Sequence, residues 1–459
     1  MSLSDTISAI ATPAGAGGIG IIRLSGPQAK AILARMFLSL SPRFSNFRPW
    51  TLHRGRILDA TGEPLDDVLA VCMPGPRTFT GEDVAEIQCH GGPALLRTVL
   101  ETTLTLGARL AERGEFTRRA YLNGRMDLTQ AEAVAEMIAA PTRASLRVSA
   151  TKLDGLLGRR VEEIRRQLEH VRMMLCVALD FSEDDVPVLD SDAFLQAVTG
   201  IIDAVQLLCR GYERTRCWQE GALVVLAGAV NVGKSSLMNA LLGRNRALVT
   251  DIPGTTRDFL EEMLDIHGLP VRLTDTAGLR HSEDVVENLG VARSRERVDA
   301  ADVVALVVDG SVGLTAHDED IVRGVERQRL LLVWNKADLA PHALIPAVWQ
   351  ERVAAVAVVS ARAGDGLDAL CRTLHSVVVA QNGPEPSAGE LAPNMRQTMA
   401  LQRALEDLTA LRADITTKIP YDICSVRLDS AAAALAEVTG LDTPDALLDR
   451  IFATFCIGK

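Results

Sequence analysis

The stretch Leu223–Gly243, LVVLAGAVNVGKSSLMNALLG, restricts the fold more than any other part of the chain. Leu223–Ala227 is a short continuous apolar run, the pattern of a strand buried on both faces of a parallel sheet. Gly228-Ala229-Val230-Asn231-Val232-Gly233-Lys234-Ser235 then fits G-x-x-x-x-G-K-[ST]. A helix is expected from Ser236 to Leu242, with Gly243 as its C-cap. Strand, loop and helix supply the context this motif needs. Its glycines let backbone N–H groups close around phosphate oxygens, Lys234 reaches the β and γ oxygens, and Ser235 offers Mg2+ a hydroxyl.

Three further motifs, each after an expected strand, narrow the nucleotide to GTP/GDP. Asp275-Thr276-Ala277-Gly278 follows 271–274 and sets a carboxylate beside the Mg2+ ligands and a flexible glycine at the γ-phosphate. Asn335-Lys336-Ala337-Asp338 follows 330–334. The Asp338 carboxylate can accept from both N1–H and N2–H of guanine, a pair that adenine lacks. Ser360-Ala361-Arg362 follows 353–359 and can bring a backbone N–H to guanine O6. Between them VTDIPGTTRD (249–258) takes the place of a switch segment: Thr250, Asp251, Ile252, Pro253, Gly254, Thr255 and Thr256, the last giving Mg2+ its second hydroxyl. Alternating strands and helices over 221–380 predict a doubly wound parallel sheet with the site at the strand C-termini.

Signalling GTPases orient the attacking water with a glutamine after D-x-x-G. Leu279 stands there and cannot hydrogen-bond water, so hydrolysis is slow or another group acts. Arg280, Glu283, Asp284 and Glu287 are the nearby candidates. A bound cation can replace an arginine finger, because any positive charge at the β/γ bridge stabilises the transition state.

The 459 residues allow two to four domains. No apolar run near the length of a membrane span and no signal peptide are read from the sequence, so a cytoplasmic protein is expected. The eight cysteines form no C-x-x-C pair, which argues against a zinc site or a disulfide framework. The net charge of −11 argues against a generally basic nucleic-acid binder. Two stretches are nevertheless Arg-rich: Arg23 to Arg56, with no acid between Thr6 and Leu58, and Arg109, Arg113, Arg118, Arg119 and Arg125. Either is a local basic face or a solvated surface with acidic neighbours.

Helical patterns flank the nucleotide domain: 128–140 capped by Asp127 with Gln130, then 152–181, 191–217, 394–415, 429–438 and 444–455. They close into one bundle or form two separate hairpins. The expected domains are 1–122, a small α+β domain; 123–217, the first helical part; 218–380, the inserted nucleotide domain; and 381–459, the second helical part. GAGGIG (15–20) matches G-x-G-x-x-G, but a strand-like run follows it and no acid appears before Asp59, so no dinucleotide site is expected.

The guanine motifs, their insertion between helices and the terminal Cys456-Ile457-Gly458-Lys459 together resemble the bacterial MnmE/TrmE family of tRNA-modification GTPases. The likeness extends over essentially the whole chain, through DTISAIATPAGAGGIGIIRLSG, FTGEDVAEIQCHGG and GEFTRRAYLNGRMDLTQAEAVAEMI. It implies a homodimer that joins an FAD-containing partner of the MnmG/GidA type in a heterotetramer or larger assembly. Such proteins add a carboxymethylaminomethyl or aminomethyl group to C5 of the wobble uridine of certain tRNAs, with a tetrahydrofolate one-carbon donor. The resemblance puts contacts to 5-formyl- or methylene-tetrahydrofolate on Arg23, Glu86, Arg125 and Lys459; family members often have lysine at the third of these. It puts K+ ligands on Asn231, Thr250, Ile252 and Thr255, the water-orienting acid on Glu287 and a link from the second switch on Arg280. It makes Cys456 a candidate nucleophile toward uracil C6, against an inert, frayed tail. Val230 departs from the family's usual proline with little expected effect. Two rivals stay open: an RNA-binding ribosome-assembly GTPase with no covalent RNA chemistry, and a folate-dependent one-carbon enzyme regulated by its GTPase.

Overall fold

The computed structural model describes residues 5–180, 191–245, 261–275, 296–341, 345–417 and 419–459. Two compact units emerge, one of residues up to Ala135 with Thr439–Lys459, the other Glu136–Val438.

The first unit is α+β. Strands β1 (Ile7–Ile10), β2 (Gly17–Ser25), β3 (Phe37–Ser39), β4 (His53–Leu58), β5 (Pro64–Met73), β6 (Val84–Gly91) and β7 (Arg109–Leu110) form one sheet in the order β3-β4-β5-β6-β2-β1-β7. All neighbours are antiparallel except β1 and β7. Alternate residues such as Ile22, Leu24, Val68, Ala70 and Ile87 face the helices Ala29–Met36 and Pro93–Thr105, which contribute Ile32, Leu33, Leu96 and Val99 to the same core. The GAGGIG stretch leads into β2, not into a helix.

Thr439–Lys459, read from the sequence as the end of the helical domain, falls within this first unit. The reason is a small core of its own: Leu448, Phe452 and Phe455 pack with Leu128 and Ala131. Asp127 and Gln130 form the expected reciprocal cap at the helix Leu128–Ala139, each backbone N–H meeting the other's side chain at 3.0 and 2.9 Å.

In the second unit the helices Leu156–Asp180, Ser191–Glu220, Met395–Thr416 and Tyr421–Thr439 share one apolar core, so segments before and after the nucleotide domain close into a single bundle. One of them, Asp192–Glu220, is long and apolar enough to cross a membrane by length and composition, a test that a bundle-core helix also passes. Its apolar residues Phe194, Val198, Ile201, Ile202, Val205 and Leu208 lie in the bundle core.

The nucleotide domain holds β8 (Ala222–Ala227), β9 (Glu261–Ile266), β10 (Leu269–Asp275), β11 (Val303–Asp309), β12 (Leu330–Asn335) and β13 (Ala355–Val358), ordered β13-β12-β11-β8-β10-β9. All pairs are parallel except β9 with β10. Both faces are buried: Val224, Leu226, Ala305 and Val333 enter one core, Val225, Ala227, Leu306 and Leu332 the other. That is why these strands read as unbroken apolar runs. β8 is central and its neighbours β11 and β10 lie on opposite sides, so the loop after it opens at a topological switch point.

Candidate functional site

The phosphate-loop residues sit where the motif requires. β8 ends at Ala227, and the helix Lys234–Asn245 begins with the motif lysine. Gly243 does not cap this helix, which continues two residues past it. A helix-interior glycine costs about 1 kcal/mol against alanine, a loss that buried Leu237 and Leu241 outweigh. Gly233 has φ +99°, and a Cβ there would stand 2.4 Å from Asn335 Nδ2, so only glycine fits. The buried Lys234 ammonium donates to the carbonyls of Gly228 and Ala229 at 2.9 and 2.7 Å, which holds it over the loop. Ser235 Oγ donates to Asp275 Oδ2 at 2.9 Å, pairing the residues read as Mg2+ ligand and Mg2+ neighbour. Both are hard oxygen donors of the kind Mg2+ takes. Ser236 is exposed in the first helical turn.

The guanine motifs close onto the phosphate loop through Asn335. Its Nδ2 donates to the Val232 carbonyl at 2.9 Å, and its Oδ1 accepts from Ala361 N–H at 3.0 Å. Asn335 is buried, so it acts as a brace between three loops. Asp338 is exposed, and its Oδ1 accepts from Ser360 Oγ at 2.7 Å, which leaves a lone pair on that oxygen and the whole of the other for a base edge. Ala337 N–H donates to Val359 at 3.1 Å, and Arg362 is exposed.

Asn231 and Lys336 both have positive φ, +62° and +60°. Such backbone costs about 1–3 kcal/mol per residue and persists only where its surroundings impose it. Here Lys336 Nζ donates to the Asn231 carbonyl at 2.9 Å and to Asp309 Oδ2 at 2.6 Å. Sequence reading missed Asp309. Burial alone would raise its carboxyl, but hydrogen bonds from Lys336 and Ser311 hold it below the ordinary range. Its only sequence signal is an acid at the end of the apolar strand β11.

Thr250, Asp251, Ile252, Pro253, Gly254, Thr255, Thr256, Thr276, Ala277, Gly278, Leu279, Arg280, Glu283, Asp284 and Glu287 lie outside the described residues.

A second cluster lies in the first unit. Arg23 on β2 stands directly opposite Glu86 on β6, and their side chains form an ion pair at 2.8 Å. The Arg23 guanidinium also lies 5.9 Å from the Phe116 ring centre. Lys459 lies within electrostatic range of this pair. Burial pushes its amine below the ordinary value and Arg23 adds to this, while Cys456 and Glu86 act in the opposite sense. Arg125, on another loop, donates from Nε to the Thr78 carbonyl at 3.1 Å.

The chain end is not frayed. Arg113 pairs with Ile457 in an antiparallel bridge, Gly114 N–H donates to the Cys456 carbonyl at 3.2 Å, and Arg113 Nε donates to the Phe455 carbonyl at 3.0 Å. Ordering a residue costs about 1–2 kcal/mol. Burying Phe455 contributes about 1.5–3 kcal/mol, enough for one or two residues, so the remainder of the tail relies on these hydrogen bonds. Gly458, at φ +91°, passes so close that a Cβ would sit 2.4 Å from the Ile10 carbonyl. Six of the eight cysteines are buried; only Cys176 is exposed and Cys456 partly so. Burial pushes the Cys89 and Cys217 thiols up to about 12, which leaves them unreactive.

The second Arg-rich stretch is not one basic face. Arg109 and Arg119 join Asp5, Glu82 and Glu115 in an ion network, with Glu115 and Arg119 buried. Arg118 pairs with Asp449 at 2.7 Å.

Loops for phosphate and guanine at the C-terminal edge of a doubly wound sheet define a P-loop GTPase. The family profile described as "GTP-binding protein TrmE N-terminus" matches residues 6–125, and that of the MnmE helical domain matches 128–456. The tRNA modification GTPase MnmE of Nitratidesulfovibrio vulgaris (strain DP4) is 58% identical, with 100% of both chains covered. That of Lawsonia intracellularis is 49% identical, again over 100% of each. Among solved structures, the G domain of the T. maritima FeoB iron transporter is 26% identical, covering 34% of this chain and 98% of that one at a TM-score of 0.26. The chain belongs to the MnmE family of tRNA modification GTPases.

Proposed function

We propose that the chain hydrolyses GTP and, with an FAD-containing partner, adds a carboxymethylaminomethyl or aminomethyl group to C5 of the wobble uridine of certain tRNAs, taking its one-carbon unit from a tetrahydrofolate. The observation that supports this reading is the stitched tail, whose Lys459 lies within electrostatic range of Cys456 and of the Arg23–Glu86 pair. Arg23 and Lys459 offer positive charge to a folate's carboxylates, and Glu86 accepts from its pterin N–H groups. Arg125 is the fourth folate contact in this reading. Cys456, as the thiolate, would add through Sγ to uracil C6 and make C5 nucleophilic; a methylene-level tetrahydrofolate would supply the carbon, its C–N bond breaking with the electron pair left on the folate nitrogen. An amine co-substrate would take that place on the carbon, and the Sγ–C6 bond would break once C5 has lost its proton. The chain works as a cytoplasmic homodimer.

In the nucleotide domain Lys234 turns from the loop carbonyls to the β and γ oxygens. Asp338 reads N1–H and N2–H, and the Ala361 N–H reads O6. Ser235 and Thr256 hold Mg2+, which neutralises charge on the phosphates. Asn231, Thr250, Ile252 and Thr255 hold K+, which supplies the positive charge that an arginine finger would bring. Glu287 orients the water that Leu279 cannot, and Arg280 ties the second switch to its surroundings.

GTP hydrolysis is expected to be on the order of 10–100-fold faster in KCl than in NaCl at matched ionic strength. Equal rates in both salts remove the cation site and with it the assignment of Asn231.

A further inference from the structure

The ion network of the first unit is used by no step above, and its placement suggests what it does. Glu115 accepts from Glu112 N–H at 2.8 Å and pairs with Arg109 at 2.6 Å and Arg119 at 3.0 Å. Asp5 ties the same two arginines at 2.8 and 2.5 Å, and Glu82 meets Arg119 at 3.2 Å. The turn 112–115 is thereby held from its inner side. Its outer side presents Arg113 Nε–H and Gly114 N–H, and these meet the Phe455 and Cys456 carbonyls, two successive groups of the tail. Arg118 ties the helix Asp445–Phe452 at mid-length through Asp449. Cys456 is half-exposed and Ile457 is 53% exposed, so their side chains bury little surface to hold this part of the tail.

We propose that Arg113 is a positioning residue: with Gly114 it forms a rigid template, backed by the Glu115 network, that sets the depth of Cys456 and Lys459 in the site. The proposal rests on the folate and thiol reading above. It concerns the placing of these groups and not their chemistry. Arg113 touches neither reactant; it acts through the Phe455 carbonyl one residue before the thiol. Losing that bond loosens the tail at the Phe455 carbonyl, with Phe455 still in its core and the backbone contacts of Gly114 and Ile457 left to hold the residues beyond it.

The test uses the full chain carrying Cys176→Ser, so that Cys456 is the thiol that reagents reach most readily. Three quantities are read for Arg113 and Arg113→Ala: the alkylation rate of Cys456 by iodoacetamide, the Kd for 5-formyl-tetrahydrofolate, and GTP hydrolysis. Arg113→Ala is expected to alkylate about tenfold faster and to bind the folate about tenfold more weakly, with hydrolysis unchanged. Arg113→Lys, which keeps a donor but not the planar fork, should fall between. If Arg113→Ala does not fold, Arg113→Met keeps the aliphatic stem, removes Nε–H and carries the same expectation. Unchanged alkylation and unchanged Kd overturn the template. A parent protein that binds no folate defeats the folate reading instead, and the alkylation rates still judge the template.

Discussion

Asp338→Asn is expected to weaken GTP binding by about 10²–10⁴-fold and to strengthen binding of xanthosine triphosphate. A carboxylate accepts from both N1–H and N2–H of guanine, and each hydrogen bond to a charged group is worth about 1.5–3 kcal/mol. Two such bonds give about 3–6 kcal/mol, which converts to that range of affinity. The local geometry decides how the variant fails. Ser360 Oγ donates to Asp338 Oδ1, so in the variant the amide oxygen keeps this bond and the NH2 group turns toward the base. A donor then faces the guanine 2-amino group, whereas xanthine presents a carbonyl oxygen there. Titration of the full chain with each nucleotide reads the exchange. An unchanged GTP affinity would remove Asp338 from the base site.

The largest effect on stability is expected at Glu115. Its carboxylate is 1% exposed and serves Arg109, Arg119 and the Glu112 N–H. Removing one partner from a buried ion network costs about 3–5 kcal/mol, because the remaining charges stay desolvated and unmatched. Glu115→Ala should therefore lower the calorimetric midpoint of the transition that contains this unit by about 6–20 °C. The same network predicts an acid dependence. Burial raises the Glu115 and Asp5 carboxyls, but hydrogen bonds from Arg109 and Arg119 outweigh it and hold both below their ordinary values of 4.5 and 3.8. For a depressed carboxyl, the stabilisation is complete above the ordinary value and is lost as pH falls through the lower folded-state value. Wild-type stability should thus drop steeply below about pH 4, and Glu115→Ala should show less of that drop. Equal midpoints for the two proteins at neutral pH would show that the network stabilises nothing.

The nucleotide domain was legible because its motifs are backbone constraints. Gly233 must be glycine to clear Asn335, and a lysine must open the following helix. Such demands leave a mark on adjacent residues. Asp309 left almost none, since its link to Lys336 crosses from one strand end to the next and depends on the tertiary fold. The arginines of the first unit left two readings open for the same reason. Arg109 and Arg119 look like a basic face in sequence, yet their acids Asp5 and Glu82 come from distant segments. The template at the tail is the extreme case, with Arg113 and Phe455 separated by 342 positions. Composition and periodicity carry no information about such a pair. The tail's apolar helix, in contrast, was readable from its own spacing, although it ends at Phe452 and not at Phe455.

The most direct measurement is a reconstitution. The chain, its flavoprotein partner, tRNA, GTP, Mg2+ and K+ are combined with tetrahydrofolate carrying a 13C one-carbon unit, and the wobble nucleoside is weighed after digestion. The account predicts the label in the C5 substituent, dependent on GTP, and its loss in Cys456→Ser while GTP hydrolysis survives. An unlabelled modified nucleoside, or full modification by Cys456→Ser, would contradict it.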